Sequence, residues 1–298
     1  MLPTTWTKSS FQSAYIDLRS ADEFQRGHIK NTTSLDWQRL PQSMHELPDK
    51  HQSLHLMGTA TILDQAEVFL NSKGYKVESK LELSQQFWAW AETEQLTEQG
   101  CHTVPLWRAN PLLEQNIELI ESLTQGRQAL DLACGAGRDA VYLANRGWSV
   151  TAMDYKQDAL ERCQSLADSL SIGAPEMGLN STTDIKNKAH SKGTLATRHI
   201  DLEQQQPVLE DIRADLIVVM RYLHRPILPY LKTLLNPGGI LCYSTFMIGS
   251  EQFGSPRNPN YLLNKGELAE LYDDFNIHID QQKTLPDERP VALFIAQK

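Results

Sequence analysis

Apolar positions along this chain fall into two alternating rhythms. Runs of four to six mostly apolar residues, bounded by Gly, Pro, Asn or Asp, alternate with stretches whose apolar residues recur every three or four positions. Buried strands give the first pattern and amphipathic helices the second, so the chain predicts an α/β protein. In residues 1–100, Ala14-Tyr15-Ile16-Asp17-Leu18 reads as a strand, and Ser20 with Glu23 three positions on reads as a helix start. Ser53-Leu54-His55-Leu56-Met57 is a further strand, residues 62–70 have helical spacing, and Gly74-Tyr75-Lys76-Val77 opens another strand. Phe87-Trp88-Ala89-Trp90 closes this unit, and the polar run 92–100 reads as a linker.

Residues 101–298 predict a second, larger unit. Helices are expected over 112–123, 140–144, 157–170 and 266–275, and strands over 128–132, 148–154, 198–202 and 214–220. A composition break over 171–197, rich in Gly, Asn, Ser and Thr, predicts a long mobile insertion. Residues 276–283 and 291–296 predict a closing antiparallel hairpin. At 298 residues the chain is long enough for two domains, each with its own core.

Candidate chemistry concentrates in Asp131-Leu132-Ala133-Cys134-Gly135-Ala136-Gly137-Arg138-Asp139, a small-residue turn between a strand and a helix. Such a turn presents backbone N–H groups to a ligand, and glycine stands where a side chain would block the approach or where φ is positive. Asp154 closes the next strand 23 positions after Asp131, where a βαβ nucleotide site places its acceptor for ribose hydroxyls. The spacing alone leaves a nicotinamide dinucleotide open, because Ala140 is a tolerated third member of a G-x-G-x-x-G fingerprint.

The same stretch is similar to motif I of the class I S-adenosyl-L-methionine (SAM)-dependent methyltransferases, with Ala133 where the family's first glycine usually stands. Ala214 to Met220 resembles the family's fourth strand, and Leu234-Leu235-Asn236-Pro237-Gly238-Gly239 its turn into the fifth. The resemblance implies a doubly wound Rossmann-like sheet with a C-terminal antiparallel hairpin, and SAM as cofactor. It implies that Ala133, Gly135 and Gly137 let the backbone approach the methionine and ribose portion. Asp131 then binds or orients the methionyl ammonium, or only fixes the loop. Asp154 accepts the ribose hydroxyls, and Asp201 meets the adenine amino group or caps a turn. Arg138 reaches the cofactor carboxylate or pairs on the surface with Asp139 or Asp158. Met220 and Trp107 line the pocket, unless Trp107 merely packs a helix start.

After the fourth strand, methyltransferases of nucleic-acid or glutamine amines usually carry a D/N-P-P-Y/F stretch. Here the segment is Met220-Arg221-Tyr222-Leu223-His224-Arg225-Pro226. Arg221, Tyr222 and His224 are the catalytic candidates and suit an anionic acceptor, with His224 as general base or as a structural residue at a strand end. This segment, the turn and the length of the second unit resemble the small tellurite-resistance-type methyltransferases, which act on oxyanions or soft chalcogen nucleophiles. The expected reaction is methyl transfer to a small molecule such as a thiol, a chalcogen oxyanion or another anionic nucleophile; a SAM-binding sensor is the alternative. Phe253 to Pro259 is expected to cover the acceptor.

In the first unit, Ile16-Asp17-Leu18-Arg19, Glu23-Phe24, Gly27-His28-Ile29 and Gly74-Tyr75 resemble the rhodanese (sulfurtransferase) domain. Its chemistry needs a cysteine just after the strand at 53–57. That place holds Gly58-Thr59, and the first cysteine of the chain is Cys101. The expectation is therefore a catalytically inactive rhodanese-like domain over 1–100, used for homodimerisation, for docking a protein partner or for shaping the other domain's pocket, ahead of a methyltransferase domain over 101–298.

The net charge of −9 is shared by both halves and no basic stripe is visible, so no nucleic-acid partner is expected. No 18-residue apolar run exists, and the N-terminus lacks a signal-peptide pattern. The four cysteines show no metal-ligand spacing. A cytoplasmic protein with no membrane association and no metal is expected.

Overall fold

The computed structural model describes residues 15–175, 192–204, 209 and 212–298. The chain divides into two compact units, Met1–Trp107 and Arg108–Lys298.

The first unit runs β1 (Tyr15–Asp17), α1 (Ala21–Arg26), β2 (His28–Ile29), β3 (Thr33–Ser34), β4 (Leu54–Gly58), α2 (Ala60–Ser72), β5 (Val77–Glu82), α3 (Gln85–Thr93) and β6 (Thr97–Glu98). Four strands form a parallel sheet in the order β3-β1-β4-β5. Ser20 and Glu23 make the reciprocal capping box that starts α1. Ile16, Leu18, Leu35, Leu56, Leu63 and Leu70 pack in its core. Asp17, buried at the end of β1, is held by Arg19, whose Nε and Nη2 reach Oδ1 at 3.0 Å and Oδ2 at 2.6 Å. The same guanidinium donates to Gly27 O and lies over the Trp88 ring.

Residues 92–100 are not a bare linker. Thr97–Glu98 pairs antiparallel with His28–Ile29, and the N–H groups of Lys30 and Gly100 donate to Leu96 O and Gln25 O. A half-exposed two-stranded ribbon needs few apolar residues, which is why its sequence reads as a linker.

The second unit runs α4 (Pro111–Leu123), β7 (Gln128–Leu132), α5 (Arg138–Asn145), β8 (Ser149–Asp154), α6 (Gln157–Ser169), β9 (Thr194–His199), β10 (Ala214–Met220), α7 (Leu228–Leu234), β11 (Leu235–Phe246), α8 (Glu267–Leu271), β12 (Asn276–Thr284) and β13 (Pro290–Gln297). Its seven-stranded sheet has the order β12-β13-β11-β10-β7-β8-β9. β9, β8, β7, β10 and β11 are parallel, and β13 runs antiparallel between β11 and β12. The chain steps outward from β7 to β8 and β9, then returns to the other side of β7 for β10 and β11. Such a reversal opens a crevice at the carboxyl ends of the two central strands, the usual ligand position in a doubly wound sheet.

Leu130 and Leu132 share a core with Ile217, Val219, Tyr243 and Phe294, and α7 adds Leu228, Leu231 and Leu234 to it. Each such side chain contributes roughly 1.5–3 kcal/mol by burial. Strand alternation turns Asp131 to the opposite face, where it meets the first turn of α5.

Two expectations are corrected. The strand placed at 198–202 begins at Thr194, so Asp201 lies beyond it rather than within it. Leu195 is the buried residue of an otherwise polar edge strand, and Gly193 sits so close to Trp148 O that a Cβ there would be 2.0 Å away. Of the insertion expected over 171–197, residues 176–191 lie outside the described residues. The helix expected to reach 275 ends at Leu271, after which Tyr272 and Phe275 are buried as an edge-on aromatic pair. No helix among the described residues is long and apolar enough to cross a membrane.

Candidate active site

The turn from β7 into α5 has left-handed backbone at Ala133 (φ 56°), Gly135 (φ 55°) and Gly137 (φ 76°). Glycine adopts this region freely, whereas Ala133 carries a Cβ there at a cost of about 1–2 kcal/mol. Gly137 is also pressed on α6: an added Cβ would stand 2.1 Å from Cys163 Sγ. An added Cβ at Gly135 meets nothing within 4 Å, so that side of the turn is open to a ligand. The N–H of Cys134 donates to Met153 O, binding the turn to β8. A hydrogen bond with the Cys163 side chain, and then burial, push the Cys134 thiol up.

Asp154 is buried at the end of β8. Its Oδ2 accepts the Gly135 N–H at 2.9 Å, and its Oδ1 accepts the Lys156 N–H at 2.9 Å. Each oxygen keeps a lone pair for a further donor. Asp131 is 2% exposed, accepts the Ala140 N–H, and has no partner for Oδ2 among the described residues. Burial, then the neighbouring Asp139, Cys163 and Asp154, raise its pKa well above the usual carboxylate range. Asp139 accepts the N–H of Asn110, the N-cap of α4, at 2.6 Å; burial pushes it up to about 6, opposed by Arg138 and Arg221.

Met220 ends β10, half-buried, and Arg221 follows with φ 58° and an exposed side chain, its N–H on Ser244 O. The Tyr222 hydroxyl is buried without a partner among the described residues. Burial, with Glu203, Asp201, Tyr261 and Asp154 adding to it, pushes its pKa up. Asp201 accepts the Glu203 N–H and thus does cap a turn, while Tyr222 feels its charge. His224 is half-buried just before Arg225. Arg138 is the first residue of α5. Trp107 is buried and is the last residue of the first unit.

Sequence reasoning missed two residues. Asp139 reads as a surface partner of Arg138, yet it ties down Asn110; the Asn110-Pro111 helix start was the available clue. Arg225 reads as part of an acceptor-binding segment. Instead its guanidinium holds both Glu267 oxygens (2.5 and 2.9 Å), Asn260 O (3.0 Å) and Leu262 O (2.8 Å). Phe253 to Pro259 is likewise anchored, since Arg289 donates to Ser255 O and stacks on Phe246.

The family described as "Methyltransferase domain" matches residues 129–214, the span from β7 to the start of β10. The match lies within the second unit, which therefore carries a methyltransferase-type enzyme domain. The cofactor expected from the sequence is SAM. An uncharacterized protein of Schizosaccharomyces pombe (strain 972 / ATCC 24843), UNK4.09, is 24% identical over 319 residues, covering 95% of this chain and 93% of its own. Among solved structures, TehB from Haemophilus influenzae is 18% identical, with a TM-score of 0.47 and 62% of each chain covered, so this chain spans less than two thirds of TehB. N-methyltransferase NodS from Bradyrhizobium japonicum WM9 is 16% identical, with a TM-score of 0.44, 63% of this chain and 97% of its own covered. The residues present fit the cofactor: the unpartnered Asp131 oxygen suits an ammonium, and the open face of Gly135 leaves room for the ligand beside Asp154.

Proposed function

We propose that this protein transfers the methyl group of SAM to a small-molecule nucleophile: a thiol, a chalcogen oxyanion or another anionic acceptor. The observation that carries the reading is the buried Asp131 carboxylate with one unpartnered oxygen, beside a left-handed turn that is open at Gly135. An unpaired buried acceptor is costly unless a ligand completes it.

When bound, SAM supplies a methyl group already made electrophilic by its sulfonium. The protein's own residues bind, align and exclude water. Asp131 receives the ammonium, Arg138 the carboxylate, and Asp154 the ribose hydroxyls through its remaining lone pairs. Ala133, Gly135 and Gly137 keep the backbone close, Asp201 meets the adenine end, and Met220 lines the pocket. On the acceptor side, Arg221 offers an exposed cation to an anionic nucleophile, Tyr222 a hydroxyl donor, and His224 a base for an acceptor proton. Arg225 has no part in this, because its guanidinium is engaged by Glu267 and two carbonyls.

The first unit fits a catalytically silent rhodanese-like module that docks a partner or a second copy. Only Thr59 separates β4 from α2, and no cysteine stands there. All four cysteines are free, which suits a cytoplasmic location.

Calorimetric titration with S-adenosylhomocysteine (SAH), followed by SAM-to-SAH conversion over a panel of small thiols, selenols and oxyanions, tests the reading. Turnover on one of them supports it. Binding without turnover on any favours a SAM sensor, and no binding overturns both. Thiosulfate:cyanide sulfurtransferase activity would refute a silent first unit.

A further inference from the structure

We propose that Tyr261 is the residue that selects the methyl acceptor, its ring serving as the platform for an acceptor with a flat aromatic body. The proposal rests on the methyltransferase reading above and narrows its acceptor from any small nucleophile to one that carries an aromatic ring.

Backbone direction places this residue. Along β11 and just past it, Ser244, Phe246 and Ile248 turn their N–H and C=O groups to one side, and the residues between them turn theirs to the other. Ser244 O accepts the N–H of Arg221, the residue after β10. Farther along the same side, Phe246 O accepts the Leu263 N–H at 2.9 Å, and the Ile248 N–H donates to Leu263 O at 3.0 Å. Met247 pairs in parallel with Leu263, while its own N–H donates to Pro290 O on the β13 side. Leu263 therefore continues the lane that β10 leaves at Met220. Because β10 lies between β11 and β7, the strap 259–263 stands at the carboxyl edge of the sheet, in the lane beside the strand that ends in the cofactor turn. A doubly wound sheet takes its ligand at that edge.

The strap is fixed in its backbone and bare at one side chain. Leu262 is buried with Phe246 and Val291, and Leu263 joins the core that Tyr222 packs against. Arg225, itself held by Glu267, grips Asn260 O and Leu262 O on either side of Tyr261. Between them Tyr261 is 41% exposed. Ile248 and Phe253 are exposed on the same stretch, so three of the seven exposed large apolar side chains among the described residues fall within 248–261. That concentration suits a guest with an apolar body better than a hydrated inorganic oxyanion. A tyrosine on a fixed backbone offers such a guest a flat face at little conformational cost.

With an aryl thiol, the acceptor sulfur gives its proton to His224 and bonds the methyl carbon with the freed pair. The bond from that carbon to the SAM sulfur breaks with its pair left on the sulfur, so the products are an aryl methyl thioether and SAH.

The competing account makes Tyr261 an incidental surface residue. The test titrates the full chain, saturated with SAH, with benzenethiol and with 2-mercaptoethanol, which carries the same thiol without a ring. It is repeated with Tyr261→Phe, which keeps the ring, and Tyr261→Ala, which removes it. Initial rates with SAM then give kcat and KM for both thiols.

Wild type and Y261F are expected to bind benzenethiol at least about tenfold more tightly than 2-mercaptoethanol, and Y261A to lose about tenfold for benzenethiol alone. In turnover the loss falls on KM for the aryl thiol, and SAH affinity is the same in all three proteins. Equal benzenethiol affinity in wild type and Y261A would overturn the proposal. So would a wild type that binds neither thiol or does not distinguish them, a result that decides the matter even if Y261A does not fold. A wild type that fails to bind SAH removes the methyltransferase reading and the proposal with it, whereas SAH binding without ring selectivity leaves that reading intact.

Discussion

The backbone N–H of Gly135 donates to Oδ2 of Asp154 at 2.9 Å, so the acid that closes β8 holds the turn that follows β7. The carboxylate organises the crevice before any ligand enters. Asp154→Ala is therefore expected to weaken SAH binding about 100-fold and to lower stability, since hydrogen bonds to a charged group contribute roughly 1.5–3 kcal/mol each. Calorimetry and urea denaturation read the two effects. Unchanged SAH affinity would remove Asp154 from the cofactor site.

Ala133 is the point of strain. Its φ of 56° suits glycine, so Ala133→Gly is expected to stabilise the protein by about 1 kcal/mol and leave SAH affinity unchanged. Urea denaturation checks it, and a less stable variant would show that the Cβ makes a compensating contact.

Gly137→Ala carries two penalties. The φ of 76° costs about 1–2 kcal/mol, and the clash with Cys163 adds about 1–3 kcal/mol. Adding Cys163→Ala should remove part of the second penalty and none of the first. Equal stability of G137A and the double variant would place the whole penalty in the backbone.

Asp139 makes stability depend on pH. Its folded pKa of about 6 lies above the ordinary 3.8, so its contribution favours folding below about pH 3.8 and is lost as pH rises through 6. Without ligand, Asp139→Asn is expected to exceed the parent by about 1–2 kcal/mol at pH 7.5, the difference closing toward pH 4. Denaturation at both pH values measures it. A constant difference would mean that the carboxylate is not the source.

Much of the second unit is legible in the sequence because its signals are local. A strand buried on both faces is a short apolar run, and the turn announces itself by Gly135 and Gly137. Asp154 follows from spacing. What escapes depends on partners far along the chain. β9 starts early because an edge strand needs only Leu195 buried. The Tyr222 hydroxyl is buried without a partner among the described residues, which no pattern records. Arg225 resembles an anion-binding residue until its carbonyl partners at 260 and 262 are seen. The first unit shows the same limit: a ribbon at 97–98 exists only through His28 and Ile29.

The grip of Arg225 on the carbonyls of residues 260 and 262 leaves Tyr261 between them with its ring exposed. Because the backbone there is fastened independently of that side chain, residue 261 is free to vary without disturbing its surroundings.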